Sequence, residues 1–281
     1  MQTPMDRAPN MMRCPSARTK GSGEMSLLEI IAKRSRTDAA TFSLPELLAG
    51  QALARVSDTS SPQVSSLISQ HFAAETLRDT SDGARRYAEL LMDHGVTEQR
   101  LLNGYIAGAA EVLGRAWEED TLSFAQVTHA MGNLTRIARE MMSPPPARVA
   151  SGPALPRILM ARAPGEDHTL GLMLTAQEMR RAGWLVRLDL SGDEASLAAA
   201  LHAQRFDLVG FSACTWARIP ALIHAIKLCR RMQDHASVVV GGWLGHDDPE
   251  QMAQRLGADI VLGRQSAPLP ILLERFALVP V

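Results

Sequence analysis

Between Arg157 and Leu262 short apolar runs alternate strictly with segments of helical period, and few folds can accommodate that order. The segments read as strand Arg157 to Ala163, helix Leu170 to Ala182, strand Val186 to Leu190, helix Glu194 to Ala203 and strand Leu208 to Ala213. Helix Ile219 to Met232, strand Ser237 to Gly241, helix Pro249 to Leu256 and strand Ile260 to Leu262 complete the series. The strand runs are a few apolar residues bounded by turn formers, whereas the helical segments repeat apolar residues three and four apart. With connections this short, the strands must run parallel and be covered by helices on both faces.

The expected architecture is flavodoxin-like, a doubly wound relative of the Rossmann arrangement, in which ligands bind beyond the carboxyl ends of the strands. The first such end opens into Pro164, Gly165, Glu166, Asp167, His168, Thr169, Leu170 and Gly171. The third strand ends near Ser212, and the fourth ends in the pair Gly241 and Gly242. Small or polar residues thus collect along one crevice, with one imidazole among them. A neutral imidazole is a good ligand for a transition metal, and a carboxylate at its other nitrogen fixes the tautomer and raises its basicity. Glu166 and Asp167 are both candidates for that second role. A lone loop histidine is otherwise a solvated side chain, so the register of Gly171, Ser212 and the double glycine carries the argument. Gly165 and Gly171 are wrongly spaced for G-x-G-x-x-G, which argues against a dinucleotide.

The amino-terminal half has a different rhythm. Residues 1–24 are rich in Pro, Ser, Arg, Asn and Gly without a period and read as a disordered leader. From 25 to 143 the pattern is helical: Leu27 to Ile31, Leu44 to Val56, Val64 to Thr76, Ala84 to His94, Glu98 to Trp117 and Phe124 to Met142. A bundle is expected. Ser123 is placed to cap its last helix, and Trp117 lies beside the charged turn Glu118 to Asp120. A large aromatic at helical spacing has a sufficient reason to be core, and equally the corner position lets it face a neighbouring domain. Pro144, Pro145, Pro146, Gly152 and Pro153 then mark a linker over 144–155, and the alternating domain fills 156–281.

Composition narrows the classes of function. A formal net charge of -1 over 281 residues supplies no bulk attraction to nucleic acid, so strong direct DNA binding is not expected. Cys14, Cys214 and Cys229 form no paired spacing, which fits a reducing cytoplasm. No apolar stretch is long enough to span a membrane. Ser212, His224 and Asp207 lack a G-x-S-x-G elbow, and Asp207 precedes the strand that Ser212 ends, so a hydrolase triad is not indicated. His246, Asp247 and Asp248 follow the double glycine; helix capping accounts for either aspartate more simply than a metal does.

The loop and strand ends resemble the cobalamin-binding (B12-binding) pattern Asp-x-His-x-x-Gly, Ser-x-Leu and Gly-Gly, with Glu166 in place of Asp and Cys214 in place of Leu. That resemblance implies His168 as the lower axial ligand of cobalt, Ser212 near the dimethylbenzimidazole tail, and Gly241 with Gly242 beside it. Thr169, Cys214, Thr215 and Trp216 would line the pocket. Trp117 resembles the tryptophan of the helical cap that covers the upper corrin face in corrinoid proteins and cobalamin photoreceptors. The Glu-His pair of that cap is replaced by Val127 and Thr128. His129 stands one residue late, a rotation of about 100° on a helix, and does not take its place.

Taken together, Trp117 to Val127, Glu166 to Gly171 and Gly210 to Trp216 resemble the cobalamin-binding photosynthesis anti-repressors of the AerR or PpaA family, related to the SCHIC domain of AppA. The resemblance covers about Met25 to the end. It implies a light- or oxygen-responsive regulator, not an enzyme, that binds cobalamin and docks on a transcriptional repressor of the CrtJ or PpsR type. A corrinoid methyl carrier is the rival reading, and a haem-binding redox sensor is a third, since imidazole ligates either metal.

Overall fold

The computed structural model describes residues 62–78, 82–142, 155–242, 248–263 and 270–272. All of them lie in one compact unit, Ala39–Val281. The expected leader, the helices Leu27 to Ile31 and Leu44 to Val56, most of the linker, and His246 with Asp247 fall outside the described residues.

The helical part comprises α1 (Pro62–Thr76), α2 (Asp82–Asp93), α3 (Glu98–Arg100), a π-helical segment Leu101–Ile106, α4 (Ala107–Glu118) and α5 (Phe124–Met141). α2 opens two residues before the expected Ala84, with Asp82 in the first turn, where the helix dipole favours negative charge. Phe72, Leu91, Leu101, Tyr105, Leu113, Leu134 and Ile137 are fully buried and form the core between these helices. α5 starts as expected at a capping box: the Gln126 backbone N–H donates to Ser123 Oγ at 3.3 Å, and Gln126 Oε1 accepts from the Ser123 N–H at 2.9 Å.

One sequence expectation needs correction. Glu98 to Trp117 reads as a single α-helix, but its second turn is π, with the Ala107 N–H reaching the Leu102 carbonyl five residues back. The apolar residues there, Leu101, Leu102, Tyr105 and Ile106, are all buried. They recur four and five apart, and a ladder of that step keeps all four nearer one face than an α-turn does.

The sheet part comprises β1 (Arg157–Arg162), α6 (Leu170–Arg181), β2 (Leu185–Asp189), α7 (Glu194–Ala203), β3 (Leu208–Ser212), a 3₁₀ turn Trp216–Arg218, α8 (Ile219–Met232), β4 (Ser237–Gly241), α9 (Pro249–Leu256) and β5 (Ile260–Val261). All strand pairs are parallel, in the order β2-β1-β3-β4-β5. This is the flavodoxin-like order, and its switch point lies between β1 and β3. Side chains alternate across the sheet. Leu159, Ala161, Val209, Phe211, Val238 and Val240 pack on one face with Leu201, Leu222, Ile226 and Met252. Ile158, Met160, Leu208 and Val239 pack on the other with Leu172, Ala176, Met179 and Trp184. Because both faces are covered there, β1, β3 and β4 read as largely apolar runs, whereas the edge strand β2 is partly exposed and carries Arg187 and Asp189.

A polar bridge joins the helical part to α6. Glu98 accepts from Gln177 Nε2 at 3.1 Å and pairs with Arg181 at 2.9 Å, with Glu98 and Gln177 both buried. Replacing Glu98 by Ala leaves the buried Gln177 amide without that acceptor, so the expected cost is about 1–3 kcal/mol, read as a lower urea midpoint.

Among the described residues no helix is long and apolar enough to cross a membrane. Asp207, Ser212 and His224 are not brought together. Asp207 Oδ2 accepts from the Arg157 N–H at 2.7 Å at the start of the sheet, whereas Ser212 lies at the opposite end of β3 and His224 pairs on the surface with Glu194.

Candidate functional site

The register of the parallel strands sets Arg162 beside Ser212 and Ser212 beside Gly241, which lines up three strand ends at the switch-point edge of the sheet. The loop from Ala163 to Thr169 leaves β1 at that edge. Its first turn is closed by the Glu166 N–H donating to the Ala163 carbonyl at 3.0 Å, with Gly165 in the left-handed region at φ 75°. Glycine adopts that conformation without strain. α6 begins immediately afterwards at Leu170.

Glu166 is the centre of the loop. Its side chain is 1% exposed, yet it carries charge-compensating partners on both oxygens. Oε1 meets His168 Nδ1 and accepts from the backbone N–H groups of Asp167 at 3.0 Å and His168 at 3.3 Å. Oε2 accepts from the Cys214 N–H at 2.7 Å, across from the end of β3. Burial opposes the charge, but the hydrogen bonds from the His168 ring and the Cys214 N–H outweigh it and hold the carboxyl down at about 2. Three backbone N–H groups thus fix the carboxylate where the side chain of Glu, longer than that of Asp, places it.

His168 is the exposed member, with 65% of its side chain accessible. Its hydrogen bond with Glu166, helped by the negative charge of Glu166 and Asp167, raises its pKa above the ordinary imidazole value against the opposing effect of burial. Glu166 occupies Nδ1, so Nε2 is the nitrogen turned over to a ligand. A side chain at Gly171 would meet nothing within 4 Å, which leaves open space one turn along from the ring.

The remaining expected residues divide. Asp167 is exposed and lies 3.9 Å from Arg162, while Thr169 precedes α6 without capping it through its side chain. Ser212, Cys214, Thr215, Gly241 and Gly242 are half-buried along the same edge. Gly242 has φ 119°, and a Cβ there would stand 2.2 Å from the Ala213 carbonyl oxygen, so close backbone packing alone requires it. Trp117 is not bundle core: it is 41% exposed, next to Phe124 at 74%. His129 is also a surface residue, its Nε2 3.0 Å from Asn133 Nδ2. Asp248 caps α9 by accepting from the Gln251 N–H at 2.9 Å, as its sequence position suggested.

Sequence reasoning overlooked two arginines. Arg162 at the end of β1 donates to the Ser191 carbonyl at 2.8 Å, and Arg218 lies against Gly165, its guanidinium 3.0 Å from where a Cβ would be. A cation ending an otherwise apolar strand was the available signal for the first; nothing local marks the second.

Replacing Glu166 by Gln would point an amide N–H₂ at backbone donors, at an expected cost of about 2 kcal/mol. The acid dependence should change with it. The carboxyl titrates lower when folded than the ordinary 4.5, so its stabilisation is present above 4.5 and is lost as pH falls from there toward about 2. Urea midpoints across that window should fall more steeply for wild type than for Glu166→Gln.

A mostly exposed imidazole oriented by a buried carboxylate is chemically suited to ligate the metal of a bound macrocycle. The family model described as B12 binding domain matches residues 156–273. A protein of Rhodobacter capsulatus described as "Uncharacterized 20.5 kDa protein in bchF-crtJ intergenic region" is 29% identical over 185 residues, covering 66% of this chain and 94% of its own. Among solved structures, the monomethylamine corrinoid protein of Methanosarcina barkeri superposes with a TM-score of 0.59 at 14% identity, over 74% of this chain and 98% of its own. That likeness concerns the fold: helices followed by a five-stranded parallel sheet, as the alternation of the sequence requires. Within the matched residues, the β1 to α6 loop with His168 stands at the switch point.

Proposed function

We propose that the chain is a cobalamin-binding regulator, responsive to light or oxygen, that docks on a transcriptional repressor of the CrtJ or PpsR type and relieves repression of photosynthesis genes. The observation that carries the cofactor reading is the Glu166–His168 pair inside the matched B12 binding domain. The regulatory reading is supported by the name of the Rhodobacter capsulatus relative, which sets its gene in the bchF-crtJ intergenic region. In this reading the protein is not an enzyme and acts in the cytoplasm.

Bound cobalamin, held by His168, would supply a metal centre that responds to light or redox state. The protein's own residues do the rest. Glu166 keeps the His168 ring oriented and its Nδ1 occupied, which leaves Nε2 to coordinate. Asp167, Thr169, Ser212, Cys214 and Thr215 line the edge around that ring. Gly241 sits at the end of β4, where a side chain would make only ordinary contact, 3.7 Å from Leu262 Cδ1. Trp117, exposed on the helical part, is the cap residue. α6 supports a route for coupling: it starts two residues after His168, and Gln177 and Arg181 near its far end hold Glu98 of the helical part. A shift of the ring would thereby bias how the helical part packs, and a few kcal/mol of bias suffices to move populations.

The test is the absorption spectrum of protein incubated with hydroxocobalamin, followed by titration with the purified repressor in the dark and after illumination. Corrin absorption together with light-dependent repressor binding is the expected result; porphyrin absorption, or binding indifferent to corrin and light, would refute it. A methyl-transfer assay showing turnover would instead establish the methyl-carrier reading.

A further inference from the structure

Glu166, His168 and Cys214 each offer one ligand atom, and these atoms lie within 4.8 Å of one another. The proposed function uses the imidazole as a ligand for cobalamin; it has no use for a thiol set against the same imidazole and a buried carboxylate. We propose that this trio is a site for a divalent ion of zinc type, filled in the absence of corrin, and that an ion held there blocks corrin uptake.

The donor set is the first support. Imidazole nitrogen, thiolate sulfur and carboxylate oxygen are the ligands zinc takes, and three protein donors leave a fourth tetrahedral position to water. Geometry is the second. Donor atoms around such an ion stand about 3.5 Å apart, given metal-to-ligand distances of about 2.0–2.3 Å, so a trio within 4.8 Å needs shifts of only about 1 Å: the His168–Glu166 pair, now in hydrogen-bond contact, parts and the wider separations close. The parts that adjust are the ring of His168, which is mostly exposed, and Cys214 in the half-buried segment after β3. Glu166 need not move. Backbone N–H groups already hold its carboxylate, and Oε2, with one N–H from Cys214, has a second lone pair for a metal. Charge is the third. Loading expels the thiol proton and any proton on the coordinating imidazole nitrogen, and carboxylate plus thiolate then neutralise a divalent ion.

Competition follows from shared use of one ring. In the proposed function His168 is the imidazole offered to corrin, and an ion taken up among the trio parts the ring from Glu166, the contact that orients it toward corrin. Cys229 is separate: it is buried in α8, in the core of the sheet face remote from α6, and burial pushes its thiol up to about 11.

Cobalt(II) tests the site without any corrin. Tag-free apo-protein titrated with cobalt(II) should develop a thiolate-to-cobalt absorption band in the near ultraviolet that saturates at one equivalent. Cys14→Ser and Cys229→Ser should keep it; Cys214→Ser and Cys214→Ala should lose it and bind the ion at least ten-fold more weakly. Zinc preloading should slow hydroxocobalamin uptake at least ten-fold in wild type, and this zinc effect should vanish in Cys214→Ser. No band, or a band that survives both Cys214 substitutions, overturns the site; equal corrin uptake with and without zinc overturns the competition. A protein that binds cobalt(II) through Cys214 but takes up no corrin would refute the cobalamin reading while leaving the metal site standing.

Discussion

His168→Ala is expected to weaken hydroxocobalamin binding by well over ten-fold and to remove the spectral change that accompanies imidazole coordination. Losing even the partners that orient a metal-binding histidine costs 10- to 100-fold in affinity, and losing the ligand itself should cost more. The substitution disturbs little packing, since 65% of the side chain is exposed, but it takes one partner from the buried Glu166 carboxylate, so stability should fall modestly and binding is compared on folded protein. Wild-type binding should also depend on pH. A proton on Nε2 competes with coordination, and His168 holds its proton above the ordinary imidazole range, chiefly through Glu166. Binding should therefore strengthen as pH rises through that raised value and weaken below it. Stability runs the other way for the same group: its contribution is full below 6.5 and fades as pH rises past the raised folded value. Spectrophotometric titrations of wild type and His168→Ala between pH 5 and 9 would check both trends, the variant showing neither.

Gly242→Ala should be the most damaging single methyl in the sheet. Its Cβ would fall 2.2 Å from the Ala213 carbonyl oxygen and 2.8 Å from the carbonyl carbon, both backbone atoms that cannot rotate away. The backbone at φ 119° adds strain for any L side chain. The two effects together should cost about 3 kcal/mol or more, which for a chain of this size corresponds to a fall in Tm of about 6–12 °C. The site should suffer too. Ala213 is hydrogen-bonded to Gly241 through its N–H at 2.9 Å, and the next residue, Cys214, holds Glu166. Pushing Ala213 away would loosen the carboxylate that orients His168, so corrin affinity should drop along with Tm. Gly171→Ala is the control: a Cβ there meets nothing within 4 Å and the backbone is ordinary helix, so stability should hold or improve slightly. Thermal unfolding of both variants makes the comparison direct.

Much of the architecture was legible because it is carried by local patterns. α7, α8, β4 and α9 begin and end on the residues that periodicity marked, and most of the other described elements differ by one or two. Unbroken apolar runs announced strands buried on both faces, and Ser123 with Gln126 announced the start of α5. The failure at Leu101–Ile106 has a definite origin, since apolar residues four and five apart satisfy a helical count without saying which ladder will form. Trp117 was ambiguous for a similar reason: spacing assigns it to a helix but not to the covered or the open side of the corner.

By itself the sequence determined the parallel sheet, its switch point and an imidazole in the loop after the first strand, because those follow from the order and period of neighbouring residues. Only the tertiary structure decided that Glu166, not Asp167, holds the ring, that the Cys214 backbone completes the hold from 48 residues away, and that Glu98 grips α6 across 79 residues. Such contacts depend on where the folded sheet brings distant segments together, and a side chain's local surroundings in the chain contain no record of that distance.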